Sequence, residues 1–301
     1  LLLFFLERWM NERFNKYIAN TISTESYRRK YRLASFDKLL RKALVAEKIC
    51  MVDHGDNKTI DSPYGSQPSV TVQAVAGTYS TAEYQLTDDT LTVADEFIVA
   101  EHIYDFEKVL TMFDLFASRI DEQNNAVKTS IDSFVLNNLC EDGTGAYTTA
   151  SGGFTTPANI NKILADLSGL VAGYADTYKG LYVVIENTDL TGFMQAQMAN
   201  GFSFADSALK NGFFTNYAGF EIYVVRTGTF VDATVGTKTW TNDGHRVAGV
   251  KKVSTYAAPR GVQYEEKSVA GKTGKEVVTW GYIGHKVWTP KAALTIDITL
   301  A

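Results

Sequence analysis

The longest uninterrupted pattern of apolar and polar positions runs from Tyr104 to Cys140, YDFEKVLTMFDLFASRIDEQNNAVKTSIDSFVLNNLC. Phe106, Val109, Leu110, Phe113, Phe116, Ile120, Val127, Ile131, Phe134, Val135 and Leu139 recur at steps of three and four, which places them on one stripe of an α-helix. No proline or glycine interrupts the stretch. Asp105 is the candidate N-cap, Glu107 adds favourable charge to the first turn, and Gly143 stands where a left-handed residue would end the helix. Such a helix would be about 50 Å long at 1.5 Å per residue, about three times an ordinary globular helix. One gap breaks the stripe, at Gln123, Asn124 and Asn125. A helix of this kind is a backbone for other elements to lie on. Its length alone fits the core helix of an enzyme equally well.

Before this helix the period is two. From Val70 to about Ile103, VTVQAV alternates, Gly77 turns, AEYQLT alternates, Asp88-Asp89 turns, and LTVADEFIVAEHI continues extended. This β-excursion has too few residues and too many polar faces to bury a core of its own, so it must lie on something else, another chain included. Residues 53–68 are a loop by composition, and residues 1–48 are amphipathic helix in at least two pieces, with Ser35 as the N-cap of the second. After the long helix, Pro157 opens another helix with Thr156 as candidate cap; its stripe is Ile160, Ile163, Leu164, Leu167, Leu170 and Val171. Leu181 to Ile185 is a buried strand, Asn187 caps a short helix that Gly201 ends, and Ala218-Gly219 precedes a second buried strand, Phe220 to Val225. Helix, strand, helix, strand is a compact α/β unit. Residues 231–245 are a polar insertion, and short strands follow in VKKVSTYAA, VQYEEKSV, EVVTWGYI and LTIDITL, with AGKTGK as the turn between the second and third.

Composition adds little until it is divided along the chain. The 301 residues are 45% hydrophobic and 21% charged, as expected of a folded domain. The net charge of −5 hides +4 on residues 1–67, −11 on residues 68–150 and +2 on residues 151–301. A basic leader and an acidic middle attract each other within or between subunits, or stand as two separately solvated surfaces. Arg28, Arg29, Lys30 and Arg32 lie between Tyr27 and Tyr31, a basic–aromatic cluster that suits either a nucleic-acid backbone or a solvated inter-subunit face. Cys50 and Cys140 are too far apart for a metal-ligand spacing, and the four histidines are scattered. Gly271-Lys272-Thr273 lacks the earlier glycine and the following helix of a phosphate-binding loop, and Gly201-Phe-Ser203-Phe-Ala205 lacks the second glycine of a nucleophile elbow. The longest apolar run, Leu1 to Leu6, is too short to span a bilayer. No catalytic residue, metal ligand or cofactor-binding residue stands out.

The order of parts is informative where the motifs are not. A basic helical arm, a long excursion running straight into a long helix, an α/β unit ending in Ala218-Gly219-Phe-Glu-Ile-Tyr-Val-Val and a β-rich return ending VVTWGYIGHKVWTPKAALTIDI resemble the major capsid proteins of tailed bacteriophages, the Hong Kong 97 fold. The stretch LYVVIENTDLTGFMQ is similar to that family's strand, turn and short helix in its axial domain. The resemblance implies an α+β chain divided into an N-terminal arm (1–69), an E-loop (70–103), a peripheral domain with the spine helix (104–157), an axial domain (158–245) and peripheral C-terminal strands (246–301). It implies inter-subunit contacts at Tyr79, Tyr84, Leu86, Asp88, Asp89 and Leu91, a basic arm at Arg28, Arg29, Lys30 and Arg32, and a spine-helix core of Phe113, Phe116, Ile120, Ile131 and Phe134. It further implies a non-catalytic protein without cofactors that self-assembles as hexamers and pentamers into an icosahedral head. That head would hold double-stranded DNA without sequence specificity and meet portal and decoration proteins, with no membrane. The chain would be assembled in the host bacterial cytoplasm and end in the virion. The family often removes a leader before maturation, which suits a first residue of Leu1. Some relatives lock their shells by an isopeptide bond from an E-loop lysine, yet no lysine occurs here between Lys58 and Lys108. An encapsulin-type compartment and a cytosolic α/β enzyme with an unrecognised site are the competing classes.

Overall fold

The structure is a computed structural model, and it describes residues 44–55, 57–65, 70, 72, 77, 83–104, 115–171, 180–199 and 213–301, with backbone alone at 115–118, 197–199 and 213–215. The expected N-terminal helices and basic arm, residues 105–114 with Asp105 and Phe113, the Phe116 side chain, Tyr79 and Gly201 lie outside the described residues. In chain order the elements begin with α1 (Val45–Ile49), β1 (Met51–Asp53), β2 (Thr59–Gly65), β3 (Leu86–Thr92), β4 (Asp95–Ile103), α2 (Leu115–Asp142) and β5 (Gly145–Thr148). Then come α3 (Pro157–Val171), β6 (Leu181–Glu186), α4 (Leu190–Ala199), β7 (Phe213–Tyr217), β8 (Phe220–Val225), β9 (Asp232–Val235) and β10 (Lys238–Thr241). The last are β11 (His245–Val250), β12 (Ser254–Ala257), β13 (Gln263–Ser268), β14 (Lys275–Val287) and β15 (Thr295–Thr299).

Helix α2 is the axis on which two sheets meet. Val127, Ile131, Phe134, Val135 and Leu139 are buried, as their three-and-four spacing predicts, and Ile120 is half-buried. The helix packs on β4 and β14 of one sheet and on β11 and β15 of another. It ends at Asp142, three residues beyond Leu139, the last residue of the apolar stripe. Gly143 does not take the expected left-handed conformation. Its N–H bonds to Leu139 O at 3.2 Å, and a Cβ there would stand 2.8 Å from Leu139 O and 2.9 Å from Thr295 O. The glycine serves the close approach of β15, not a reversal of the chain.

The first sheet is built on β14. Its 13 residues are long enough to pair antiparallel with β4 along 275–283, β13 along 275–280 and β12 along 284–287, and β1 adds parallel to β12. The second sheet has the order β5-β15-β11-β6-β8-β7, with β6 and β8 parallel. The expected strands 181–185 and 220–225 are largely buried, with Leu181, Glu221 and Val224 half-buried, because both faces of the strands are covered. Strands β11 and β15 sit inside this sheet beside β6, so the sheet draws on both sides of the division expected at residue 245.

Several readings of the sequence are corrected. Residues 59–65 are not loop but strand β2, paired antiparallel with β3. Asp88-Asp89 is not a turn, since both residues lie in mid-strand opposite Pro63 and Ser62. The polar insertion at 231–245 contains the hairpin β9–β10, held to α2 because Trp240 is buried edge-on against Phe134 and donates from Nε1 to Asn138 Oδ1 at 2.8 Å. Leu170 is exposed although it shares the stripe spacing of α3. Asn187 does not cap α4; Asp189, next to the helix, accepts the first-turn N–H groups of Gly192 and Phe193 through its carbonyl. Ala218-Gly219 does precede the strand 220–225, as expected, and forms the turn of a β7–β8 hairpin, with φ of 51° and 85°.

Candidate functional site

One constellation resembles nucleophile chemistry. Cys50 follows α1, Ser254 opens β12, and His285 lies on β14, which pairs with β12. The Ser254 hydroxyl donates to Cys50 Sγ at 3.1 Å, and Cys50 Sγ is 4.0 Å from His285 Nε2. All three are buried. Burial pushes the Cys50 thiol up to about 12, with Ser254 opposing and Asp132 adding to the shift. Burial, and secondarily the charge of Lys238, lowers His285 to about 3. Near neutral pH the pair is therefore thiol and neutral imidazole, the reverse of an activated cysteine. The three residues are distant in sequence, so only the β12–β14 pairing reveals them. Among the described residues no group of three His, Cys, Asp or Glu could hold a metal, and no helix is long and apolar enough to cross a membrane.

The feature that stands out is the β2–β3 hairpin. Its two strands form a sheet of their own. Tyr84 and Leu86 are 68% and 60% exposed, and Val70 and Val72 in the connection are 90% and 92% exposed. Asp88 is exposed as well. Asp89 and Leu91, two positions apart on one face of β3, are instead buried within their own chain, at 6% and 1% exposure. The expectation that these two contact another subunit is thereby corrected. Leu91 packs with Ala257 and Trp288 in a small cluster separate from the main core. The Asp89 carboxylate accepts from Lys286 Nζ and from the Thr289 N–H at 2.8 Å, and Lys286 also donates to Thr90 O at 2.8 Å. Burial alone would raise the Asp89 carboxyl, but the bonds from Lys286 and Thr289 outweigh it and hold the group below its ordinary value.

The body that carries the hairpin is cross-braced by polar groups on α2 that the stripe pattern passes over. Gln123, in the gap of the stripe, is 2% exposed; it accepts from the Thr279 hydroxyl at 2.7 Å and donates to Glu101 Oε2 at 3.0 Å. Asp132 accepts from the N–H groups of Val45 and Ala46 at 3.1 and 2.7 Å, capping α1 from a distance. Asn137 donates to Thr229 O at 2.8 Å and accepts from the Val231 N–H at 3.2 Å. At the end of β6, Arg246 bonds Asp189 at 2.6 Å and Glu186 at 3.1 Å, while Glu186 also accepts from the N–H groups of Gly228 and Thr229. These bonds fix the loops around α2 and leave no buried charge unpaired in this cluster. Ile131 and Phe134 are core, as expected.

No family model matches the sequence, and no curated protein matches it either. Solved structures do match. The capsid structure of the cyanophage P-SCSP1u superposes with a TM-score of 0.67 at 13% identity, over 87% of this chain and 89% of that one. The capsid of an empty GTA particle gives 0.64 at 12% identity, over 87% and 91%. The mature capsid of bacteriophage PhiM1 gives 0.61 at 10% identity, over 86% and 87%. The chain thus has the mixed helix-and-sheet fold of phage capsid subunits along nearly its whole length.

Proposed function

We propose that this chain is the major capsid protein of a tailed phage, a structural subunit that assembles as hexamers and pentamers into an icosahedral shell around packaged double-stranded DNA. The observation that carries the reading is the projecting hairpin. Strands β2 and β3 pair with each other, and the exposed Val70, Val72, Tyr84 and Leu86 need a surface outside their own chain. A projecting element docking on a different surface of a neighbour is a heterologous contact, and repeated rotation of such contacts closes rings. On this reading the hairpin is the E-loop, its limits move from 70–103 to 59–92, and α2 is the spine helix. Residues 95–103 then belong to the body, because they pair with 275–283 of the same chain. The capsid fold of the matched structures supports the same role. Contacts with portal and decoration proteins follow from a role in the phage head.

Deleting residues 66–85 and joining the strands by a short turn tests this reading. Electron microscopy of the wild-type protein should show closed shells, while the deleted protein should keep its circular dichroism spectrum and sediment as small species. Closed particles from the deleted protein would remove the hairpin from the assembly mechanism. Shells filled with protein instead of DNA would point to a cellular compartment.

A further inference from the structure

We infer that Asp89, Lys286 and the Thr289 N–H form an intramolecular latch that sets the angle at which the hairpin leaves the body, and that this latch positions the hairpin for its neighbour. The inference rests on the shell reading for its consequence, but not for its geometry.

The hairpin has a wet end and a dry end. Along β3 the residues Leu86, Thr87 and Asp88 are exposed, and burial begins at Asp89. The root is closed by few groups. Leu91 enters the cluster with Ala257 and Trp288, and the Trp288 indole is itself fixed by donating to Thr255 Oγ1 at 2.8 Å. Gly284 admits the strand, since a Cβ there would stand 2.9 Å from Thr92 O and 3.0 Å from Leu91 Cδ2. Leu91 alone is a greasy pivot, for apolar contact is not directional. The Asp89 carboxylate adds direction. One of its oxygens faces Lys286 and the other the Thr289 N–H, so a side-chain donor and a backbone donor three residues apart fix the plane of a buried group. Lys286 closes the arrangement by donating to Thr90 O, the carbonyl next to the carboxylate it pairs with. A rotation of the hairpin about Leu91 breaks all three bonds together. A change of angle at the root displaces the exposed residues in proportion to their distance from Leu91, Leu86 more than Asp88.

The test is carried out on the whole chain with Asp89→Ala, Lys286→Ala and the exchanged pair Asp89→Lys with Lys286→Asp. In unassembled subunits, amide exchange of residues 59–65 and 86–92 should speed up at least tenfold in both alanine variants, with the amides of α2 and β14 unchanged. Particle images should then show open or irregular assemblies in place of uniform shells, and the exchanged pair should recover part of both properties. Unchanged hairpin exchange in Asp89→Ala would overturn the latch. So would faster exchange throughout α2, which would make Asp89 a general stability residue. Wild-type subunits that never form shells would overturn the shell reading, and the exchange measurement would still decide the latch.

Discussion

The pair Gln123 and Thr279 gives a closed test of how the long helix is fixed to its sheet. Gln123 is 2% exposed and Thr279 fully buried. Gln123→Leu keeps roughly the same volume and removes the acceptor of the Thr279 hydroxyl together with the donor to Glu101. A buried polar group left without a partner costs about 1–3 kcal/mol, and an ordinary lost hydrogen bond about 0.5–1.5 kcal/mol. Glu101 keeps its bonds from Arg119, so its loss is the smaller kind. The expected cost is therefore about 2 kcal/mol, a fall in melting temperature of about 3 °C for a chain of this size. Thr279→Val alone strands the Gln123 amide oxygen and should cost about 1–2 kcal/mol. With both changes neither group is stranded, so Gln123→Leu on the Thr279→Val background should cost under about 1 kcal/mol. Thermal and urea unfolding of unassembled subunits measures all four corners of the cycle. If the two losses simply add, within about 0.5 kcal/mol, the buried bond does not fix the helix and the reasoning fails.

Ile131→Asp puts an unpaired carboxylate on the buried stripe and should cost several kcal/mol, giving insoluble or unassembled protein in expression trials; normal yields of intact shells would refute the helix register. His285 is held neutral in the fold, at about 3 against an ordinary 6.5, so the unfolded chain takes up its proton first and stability should fall as pH drops below 6.5, by at most about 1.4 kcal/mol per pH unit. His285→Gln should flatten urea-unfolding midpoints between pH 6.5 and 4.5, and an unchanged slope would contradict that assignment. Asp89, Glu101 and Glu221 are all held below their ordinary values, so their stabilisation is complete above those values and is lost as pH falls through the lowered ones, which should add a second, steeper loss below about pH 4. Because the sequence has no lysine between Lys58 and Lys108, mature particles boiled in detergent with reductant should run as a single monomer band, and a ladder of covalent oligomers would defeat that expectation.

What the sequence disclosed depended on whether a segment's environment is its own pattern or a remote partner. The stripe through Val127, Ile131, Phe134 and Leu139 was legible because one helix face meets one apolar surface. The runs at 181–185 and 220–225 were legible because strands covered on both faces are mostly apolar, Glu221 being the one charged residue in them. Residues 59–65, TIDSPYG, were not, because the strand alternates only between exposed and half-buried positions, and its Pro63 and Gly65 have the composition of a turn. Asp89 was misread for a related reason. Adjacent acids look solvated, and the cation that makes one of them buried is supplied by Lys286 at the far end of the chain. Gln123 left a gap in the stripe since its partners Thr279 and Glu101 lie on strands that no local period connects to the helix. The Cys50, Ser254 and His285 cluster was invisible on the same account.

On the shell reading, the same division of labour governs assembly. Fully burying Val70, Val72, Tyr84 and Leu86 against a neighbour would contribute about 1.5–3 kcal/mol per side chain, or about 6–12 kcal/mol for one hairpin. Joining two subunits costs about 4–15 kcal/mol in lost freedom of motion before any side chain is ordered. A single hairpin contact is therefore close to balance, and an open dimer should not accumulate. Ring closure changes the outcome, because the last contact forms between subunits already held and carries no second loss of translational freedom. That gain exists only when every hairpin leaves its body at the angle its neighbour requires. Partial rings would then be the least stable species, and sedimentation should find monomers and closed assemblies with little between them. Latch variants should shift that balance toward monomers, with each subunit's own melting temperature lowered only by the loss of the Asp89 pair.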